Sequence, residues 1–427
     1  MLQTLRNAWK IPELRKKIIF TLFILLIYRV GNVIPVPFID VATLTNYYDS
    51  VLSSTILGLY NAMSGSAFSQ ATVFALGIQP YINASIIIQL LTIAIPALER
   101  MQKDEEGGRE KIARITRYVT VGLAAVQAIG LVSSMGFIKS GWYNYVLVGI
   151  SMAGGSALAM WIGERITEKG VGNGISMLIM AGILSNLLNG IVSGFTNASA
   201  NGTSSGWMNL LVIAVMFVIM VVVVTFVDMG ERRIPLQIAK QVKGRRVYGG
   251  QNTHMSLKVC SVGVLPLIFA YSFLAFPGTL IQLIGGTKSG AYLWWATHMS
   301  TGSVGYMIIS ALLIMAFTFF YSSISFDPKQ QAEQLTMQGA VIPGQRGKNI
   351  RGYLQTTVNR LNLFSALFLA ILAAVPTILT TGLNAQVPFA ASSILIAVSV
   401  SLETIRAIRA EMSIRGIDSN LDNAGFM

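Results

Sequence analysis

The stretch LGLYNAMSGSAFSQATVFALGIQPYINASIIIQLLTIAIPALE, Leu57 to Glu99, holds no Lys, Arg or Asp, and its only formal charge is the final Glu. It is about twice the roughly 20 residues that one helix needs to cross a bilayer core. Its first third is rich in Gly, Ser and Asn, where a lipid-facing helix would carry Leu and Val. Whether it crosses a membrane once or twice decides the topology of everything around it.

Of the 427 residues 53% are hydrophobic and 11% charged, and several continuous apolar runs are long enough to span. Backbone polar groups in lipid must be satisfied internally, and the runs do not alternate as barrel strands would. The expected fold class is therefore all-α, a polytopic membrane protein. The runs lie near 18–38, 74–97, 118–136, 146–163, 174–193, 208–228, 260–284, 304–325, 362–381 and 389–407, which makes ten spans. Arg6, Lys10, Arg15, Lys16 and Lys17 precede the first run as in a signal peptide, but no small-residue cleavage site follows, so the run is expected to be retained.

Of the 31 Lys and Arg residues, 28 fall in the N-terminal tail, in alternate loops or at the C-terminal end. Lys139 and Lys288 fall on the other side, and Arg29 sits inside the first run. Basic residues concentrate on the cytoplasmic side, so both termini are expected there. The first run exits near Asp40, and the loop with Arg100, Lys103, Arg109, Lys111 and Arg114 must be back inside. Residues 41 to 99 then cross an odd number of times, and one crossing, Leu76 to Ile95, suffices. That leaves about Leu57 to Ala71 as a segment that enters without crossing. Either protein or a water-filled cavity surrounds it, or it lies as an amphipathic piece on the outer face.

Five runs precede the polar segment GFTNASANGTSSGW (194–207) and five follow it. An odd number per half makes the halves, if related, inverted. The expected organisation is a cytoplasmic amphipathic segment (1–17), an N-terminal half (18–193), an external hinge loop (194–207), a C-terminal half (208–407) and a cytoplasmic tail (408–427). The loops 229–258 and 326–352 form parts of the second half.

The chemistry narrows the function. Cys260 stands alone, and His254 and His298 make no metal-ligand cluster. The Asn83, Asn197 and Asn201 sequons are read as chance matches. An intramembrane enzyme needs a clustered nucleophile, carboxylate pair or metal site; none is evident, and no cofactor is expected. An ion-coupled transporter, the alternative reading, needs charges deep in its spans. Here Arg29 lies about 17 Å into the first run at roughly 1.5 Å per residue, and Asp228 and Glu403 sit towards span ends. Arg29 either bonds carbonyls inside the bundle or meets a substrate. Residues 229–258 carry seven basic residues against one acid, with Arg245 and Arg246 beyond Gly244 as at a loop tip. Lys329, Arg346, Lys348 and Arg351 surround VIPGQRG in the next such loop. These basic protrusions serve either as ordinary inside-positive anchors or as docks for an acidic partner such as RNA phosphate, anionic lipid or protein. Ile78 and Ile82 share one helical face with Asn83 nearby, a pattern that packing alone explains.

Six segments carry a resemblance: RVGNVIPVPFID (29–40), FALGIQPYINASIIIQLL (74–91), GERITEKGVGNGIS (163–176), AKQVKGRRVYGGQNTHMSLKV (239–259), GVLPLIFA (263–270) and GAVIPGQRG (339–347). Together they resemble the SecY family, central subunits of the bacterial Sec protein-conducting channel, along nearly the whole chain and in order. The resemblance implies a clamshell of two halves in the bacterial cytoplasmic membrane. Its hourglass pore would open across the membrane for secreted chains and sideways for membrane segments. It implies a plug at Leu57, Gly58, Met63, Gly65, Ala67 and Phe68. A pore ring of Ile78, Ile82, Ile179, Ile268 and Ile396 follows in the same way. An apolar collar fits a moving chain of any sequence and resists wetting when empty.

The side exit, or lateral gate, would involve Asn83, Gln89, Ser272 and Phe276. Arg245, Arg246 and Arg346 would dock the SecA motor or the ribosome. Implied partners are SecE, SecG, SecA, the ribosome, signal-sequence-bearing polypeptides and membrane lipid, with no DNA. Catalysis would reside in the motor, not in this chain. Three positions depart from the family pattern: Cys260 for a common Asn, Gln79 for a common Met, and Ala390-Ala391 for a frequent Gly-Gly.

Overall fold

In a computed structural model of the chain, the described residues are 2–48, 61, 63–103, 107–135, 141–201, 204–238, 241–243, 246–248, 252–260, 262–263, 265–285, 290, 294–295, 298–299, 303–343, 350–383 and 391–414. The short helix α1 (Leu2–Lys10) leads into α2 (Pro12–Gly31), where proline occupies the first turn, the one place in a helix that needs no N–H. The expected first span extended to residue 38, but the helix stops at Gly31. Beyond it the chain pairs with the return of the opening stretch: the Val36 amide donates to Ala71 O (2.9 Å) and the Val73 amide to Ile34 O (3.0 Å). Asp40 then caps α3 (Val41–Tyr47), its carboxylate accepting from the Thr43 amide at 3.3 Å and the Thr43 hydroxyl at 2.6 Å.

The second span is shorter than its apolar run. Helix α4 covers Gln79–Ala94, and residues 74–78 are turns. Gly77 adopts φ +53, a left-handed conformation that breaks helical continuity, and Pro80 then favours a start rather than an interior. At the other end Ile95 is extended because proline follows it. Helix α5 (Pro96–Lys103) therefore leaves at a sharp angle, with 106° between Gln79–Ala94 and Pro96–Gln102.

Eight further long helices follow: α6 (Gly108–Met135), α7 (Trp142–Lys169), α8 (Gly174–Asn201), α9 (Ser204–Asp228), α10 (Leu265–Gly285), α11 (Val304–Ser325), α13 (Ile350–Leu383) and α14 (Ala391–Ile414). With α2 and α4 they account, one for one, for the ten apolar runs. Segments 142–169, 174–192, 304–337 and 350–375 are each long and apolar enough to cross a membrane unaided. Exposed Leu, Ile, Val and Phe stud the outer faces of α2, α7, α9, α11 and α13, as lipid contact requires.

The two basic connections are not open loops. After α9, strands β1 (Glu231–Ile238), β2 (Gln241–Lys243), β3 (Arg246–Tyr248) and β4 (Asn252–Lys258) form two ladders, β1 with β4 and β2 with β3. In the next basic connection α12 (Pro328–Met337) precedes β5 (Ala340–Val341), which adds to the other edge of β1 through Gln237↔Val341 and Ile238↔Ala340. Beneath this three-stranded sheet Ile234, Leu236 and Leu257 meet Leu335, Ile342 and Leu354 in a small core of their own. Two regions far apart in sequence thus make one platform.

Candidate functional site

The small-residue segment lies inside the bundle. Asn61, Met63, Ser64, Ala67, Phe68 and Ser69 are all buried, as is Gly65. An amphipathic piece on the outer face would leave one side open, so this burial corrects that alternative. Leu57 and Gly58 lie outside the described residues. Asn61 organises the turn: its Oδ1 accepts from the Ser69 amide at 2.9 Å, and its carbonyl accepts from the Ser66 amide at 2.9 Å. These local bonds satisfy backbone groups around the turns at 65–71.

Neighbouring helices hold the segment by polar groups. The Arg29 guanidinium donates to Gly65 O (2.9 Å), Asn32 Nδ2 to Ser64 O (2.9 Å), and Ser66 Oγ to Asn186 Oδ1 (3.0 Å). Arg29 thus bonds a carbonyl inside the bundle, the first of the two readings open to it. Helix α8 approaches closely because position 182 is glycine: a Cβ there would stand 2.2 Å from Met63 O. A small residue is the only kind that admits such contact.

The five isoleucines are buried, and three of them, Ile78, Ile82 and Ile179, line a small cavity together with Met63 and Ser64 of this segment. Ile78 and Ile82 come from the start of α4, Ile179 from α8, Ile268 from α10 and Ile396 from α14, and all are between 1% and 5% exposed. They belong to one continuous apolar cluster with Met63, Ala67 and Phe74. The cavity left among Met63, Ile78, Gln79, Ile82 and Ile179 measures about 10 Å³, room for no more than roughly one water.

Beside the collar runs a seam between α4 and α10. Asn83 and Ser272 are buried, and Gln89 is half-buried. Phe276 is on α10, its side chain outside the described residues. Ser272 Oγ donates across the seam to Gln79 Oε1 (3.3 Å), while Gln79 Nε2 donates to the Met63 thioether (3.1 Å). One amide therefore touches both the seam and the inserted segment, at a position where a methionine could not donate to Met63. Asn83 Nδ2 and Gln89 Oε1 have no hydrogen-bond partner among the described residues, unlike the interhelical bonding that membrane amides usually find.

Charges gather elsewhere. Asp228, at the end of α9, pairs with Arg406 of α14 at 3.0 Å, and the same arginine also bonds the Asp228 carbonyl. Lys17 of α2 pairs with Glu411 of α14 at 2.6 Å. Cys260 is buried, its thiol 3.1 Å from the Ser365 hydroxyl. Of the candidate docking residues, Arg246 lies on β3 with Lys243 as its register partner, and Arg245 and Arg346 lie outside the described residues.

Sequence reading missed Asn32, Asn61 and Asn186. The signal available was general: a polar backbone at membrane depth must find donors, and these amides are the donors and acceptors within reach. The bonds of Asn32 and Asn186 reach across 32 and 120 residues of chain, which no local pattern encodes.

Comparison with known proteins agrees with this geometry. The SecY family model matches residues 72–405. The chain is 38% identical to the protein translocase subunit SecY of Streptomyces scabiei, over 99% of this chain and 100% of that one. It is 36% identical to the subunit of the same name from Escherichia coli K12, over 97% and 95%. Among solved structures, a protein-conducting channel superposes with a TM-score of 0.72 at 20% identity, covering 95% of both chains. Sec61 in a canine ribosome-channel complex superposes with a TM-score of 0.66 over the same shares. These neighbours share the fold of ten membrane helices in two halves. On the matched length, the full-length identity and the common fold, the chain belongs to the SecY family.

Proposed function

We propose that the chain is the channel-forming subunit of a protein translocase, passing unfolded polypeptides through its isoleucine collar and releasing membrane segments through the α4–α10 seam. The burial of five isoleucines from four helices in one apolar cluster with Met63 and Ala67 of the small-residue segment supports this reading. An aliphatic ring makes no sequence-specific bond, so it can slide on any chain while keeping ions out. Residues 57–71 act as the plug that occupies the path at rest. Family relatives are translocase subunits, and the ion-coupled transporter finds no support: Arg29, the charge deep in the first helix, is engaged by a plug carbonyl.

The finer assignments are part of the proposal. The protein resides in a bacterial cytoplasmic membrane with both termini inside, as the Lys and Arg asymmetry requires. Residues 194–207 form the hinge between halves 18–193 and 208–407. The platform of β1, β4 and β5, together with Arg245, Arg246 and Arg346 of the same two basic connections, docks a SecA-type motor or a ribosome. SecE and SecG are the companion subunits. The chain itself catalyses nothing; energy comes from the motor, from translation and from the proton-motive force.

The experiment is a pair. Arg346→Glu is expected to block secretion while the chain remains inserted and bound to its companion subunit; normal secretion would sink the docking assignment. A disulfide between Asn83→Cys and Phe276→Cys, in a Cys260→Ser background, is expected to form at rest and stop transport. Unimpeded transport through fully crosslinked protein would overturn the side exit.

A further inference from the structure

Two side chains three residues apart at the end of α2 hold two consecutive carbonyls of the inserted segment. Arg29, in the last helical turn, donates to Gly65 O, and Asn32, at the C-cap, donates to Ser64 O, both at 2.9 Å. Residues spaced by three share one side of a helix, so the pair acts as a single jaw. Asn32 is buried and Arg29 half-buried. Among the described residues no carboxylate lies within ion-pair distance of Arg29. Its charge is balanced instead by the Gly65 carbonyl and by the negative end of its own helix.

The partner segment is shaped for this jaw. Gly65 has φ +70, in the left-handed region, and a Cβ there would stand 3.0 Å from Arg29 Nη1 and 3.1 Å from Gly182 Cα. Any larger residue would push the guanidinium away from the carbonyl that it holds.

We propose that Arg29 and Asn32 form the latch that keeps the plug seated, which rests on the plug reading of residues 57–71. A hydrogen bond from a charged donor is strong where water is scarce and weak where water competes. While the path is dry, Arg29 has no better acceptor than Gly65 O. Once an entering polypeptide hydrates the path, water solvates the guanidinium and the latch loses its advantage. The latch therefore holds the empty channel shut and yields to the occupied one. Because it grips backbone carbonyls, it tolerates side-chain change within the plug, except at Gly65.

The test uses the full-length chain, purified with its co-purifying subunits and reconstituted in planar bilayers in potassium chloride. Losing a charge-assisted hydrogen bond is expected to raise the resting conductance of Arg29→Met about tenfold or more. Arg29→Lys, which keeps a donor, should leak less than Arg29→Met. In a channel lacking residues 61–71, Arg29→Met should add nothing, since the latch acts only through the plug. A leaky deletion with an ion-tight Arg29→Met would overturn the latch and leave the plug standing. An ion-tight deletion would overturn the plug itself. A further rise from Arg29→Met on top of the deletion would also overturn the latch, because the arginine would then act elsewhere. A second measurement reads the seating directly: the disulfide between Ser66→Cys and Asn186→Cys, with Cys260→Ser, should form more slowly when Arg29 is Met. An unchanged rate would sink the proposal.

Discussion

The collar and the platform are built by opposite rules. At the collar, the inserted segment is held by a few polar bonds, to Gly65 O, Ser64 O, Ser66 and Met63, around an apolar ring whose members share no ladder. At the platform, β1 is paired on both edges and sits on a buried core of Leu and Ile. The first is a set of separable contacts and the second a cooperative unit. On the proposed reading, bonds that break singly suit a part that moves, and a cooperative unit suits a docking surface.

That contrast can be broken first at the platform. Leu354 is fully buried beneath the sheet, and Leu354→Asp would both remove its packing and bury a charge, a loss of roughly 3 to 5 kcal/mol. The expected result is loss of motor- or ribosome-driven transport with a resting conductance still at the parent level. A leak appearing together with the transport defect would mean that platform and collar are one mechanical unit.

The collar's fastening is more graded. Gly182→Val would drive a side chain into Met63 O, where even a Cβ stands at 2.2 Å. Overpacking of this kind costs about 1 to 3 kcal/mol, and it should displace the inserted segment rather than unfold α8. Single-channel recording is expected to register a resting open probability raised by about tenfold, with transport retained. A tight channel would mean that α8 gives way instead.

The smallest effect is expected at Gln79, where seam and inserted segment meet. Gln79→Met removes both the bond from Ser272 and the bond to Met63. Two neutral hydrogen bonds, one of them to sulfur, contribute about 1 kcal/mol together. The variant should admit precursors with defective signal sequences a few-fold more readily, measured as secretion of a signal-impaired reporter. No change would show that the seam and the segment are not linked through this amide.

Much of the architecture was legible without coordinates. Ten long apolar runs became ten long helices because lipid leaves the backbone no alternative to internal hydrogen bonding. The odd crossing count of residues 41–99, read from Lys and Arg alone, left 57–71 as a segment that does not cross, and its described residues pack largely buried among the helices. The ends of elements were less legible: the second span begins at Gln79 and not at Leu76, because Gly77 and Pro80 act locally against an apolar run that continues through them. The basic connections were read as loops, since β1 acquires its second edge only when β5, about a hundred residues later, folds back against it.

Hydropathy by itself determined the number of long apolar helices, because partitioning into lipid depends on each segment's own composition. Only the tertiary structure decided that Ile78, Ile82, Ile179, Ile268 and Ile396 are buried in one apolar cluster, and that Arg29 finds Gly65 O and Gln79 bridges Met63 to Ser272. Those are contacts between helices, and an isoleucine that lines a path has the same composition as one that faces lipid. What separates them is which neighbours the packing brings within reach, and that is a property of the whole bundle.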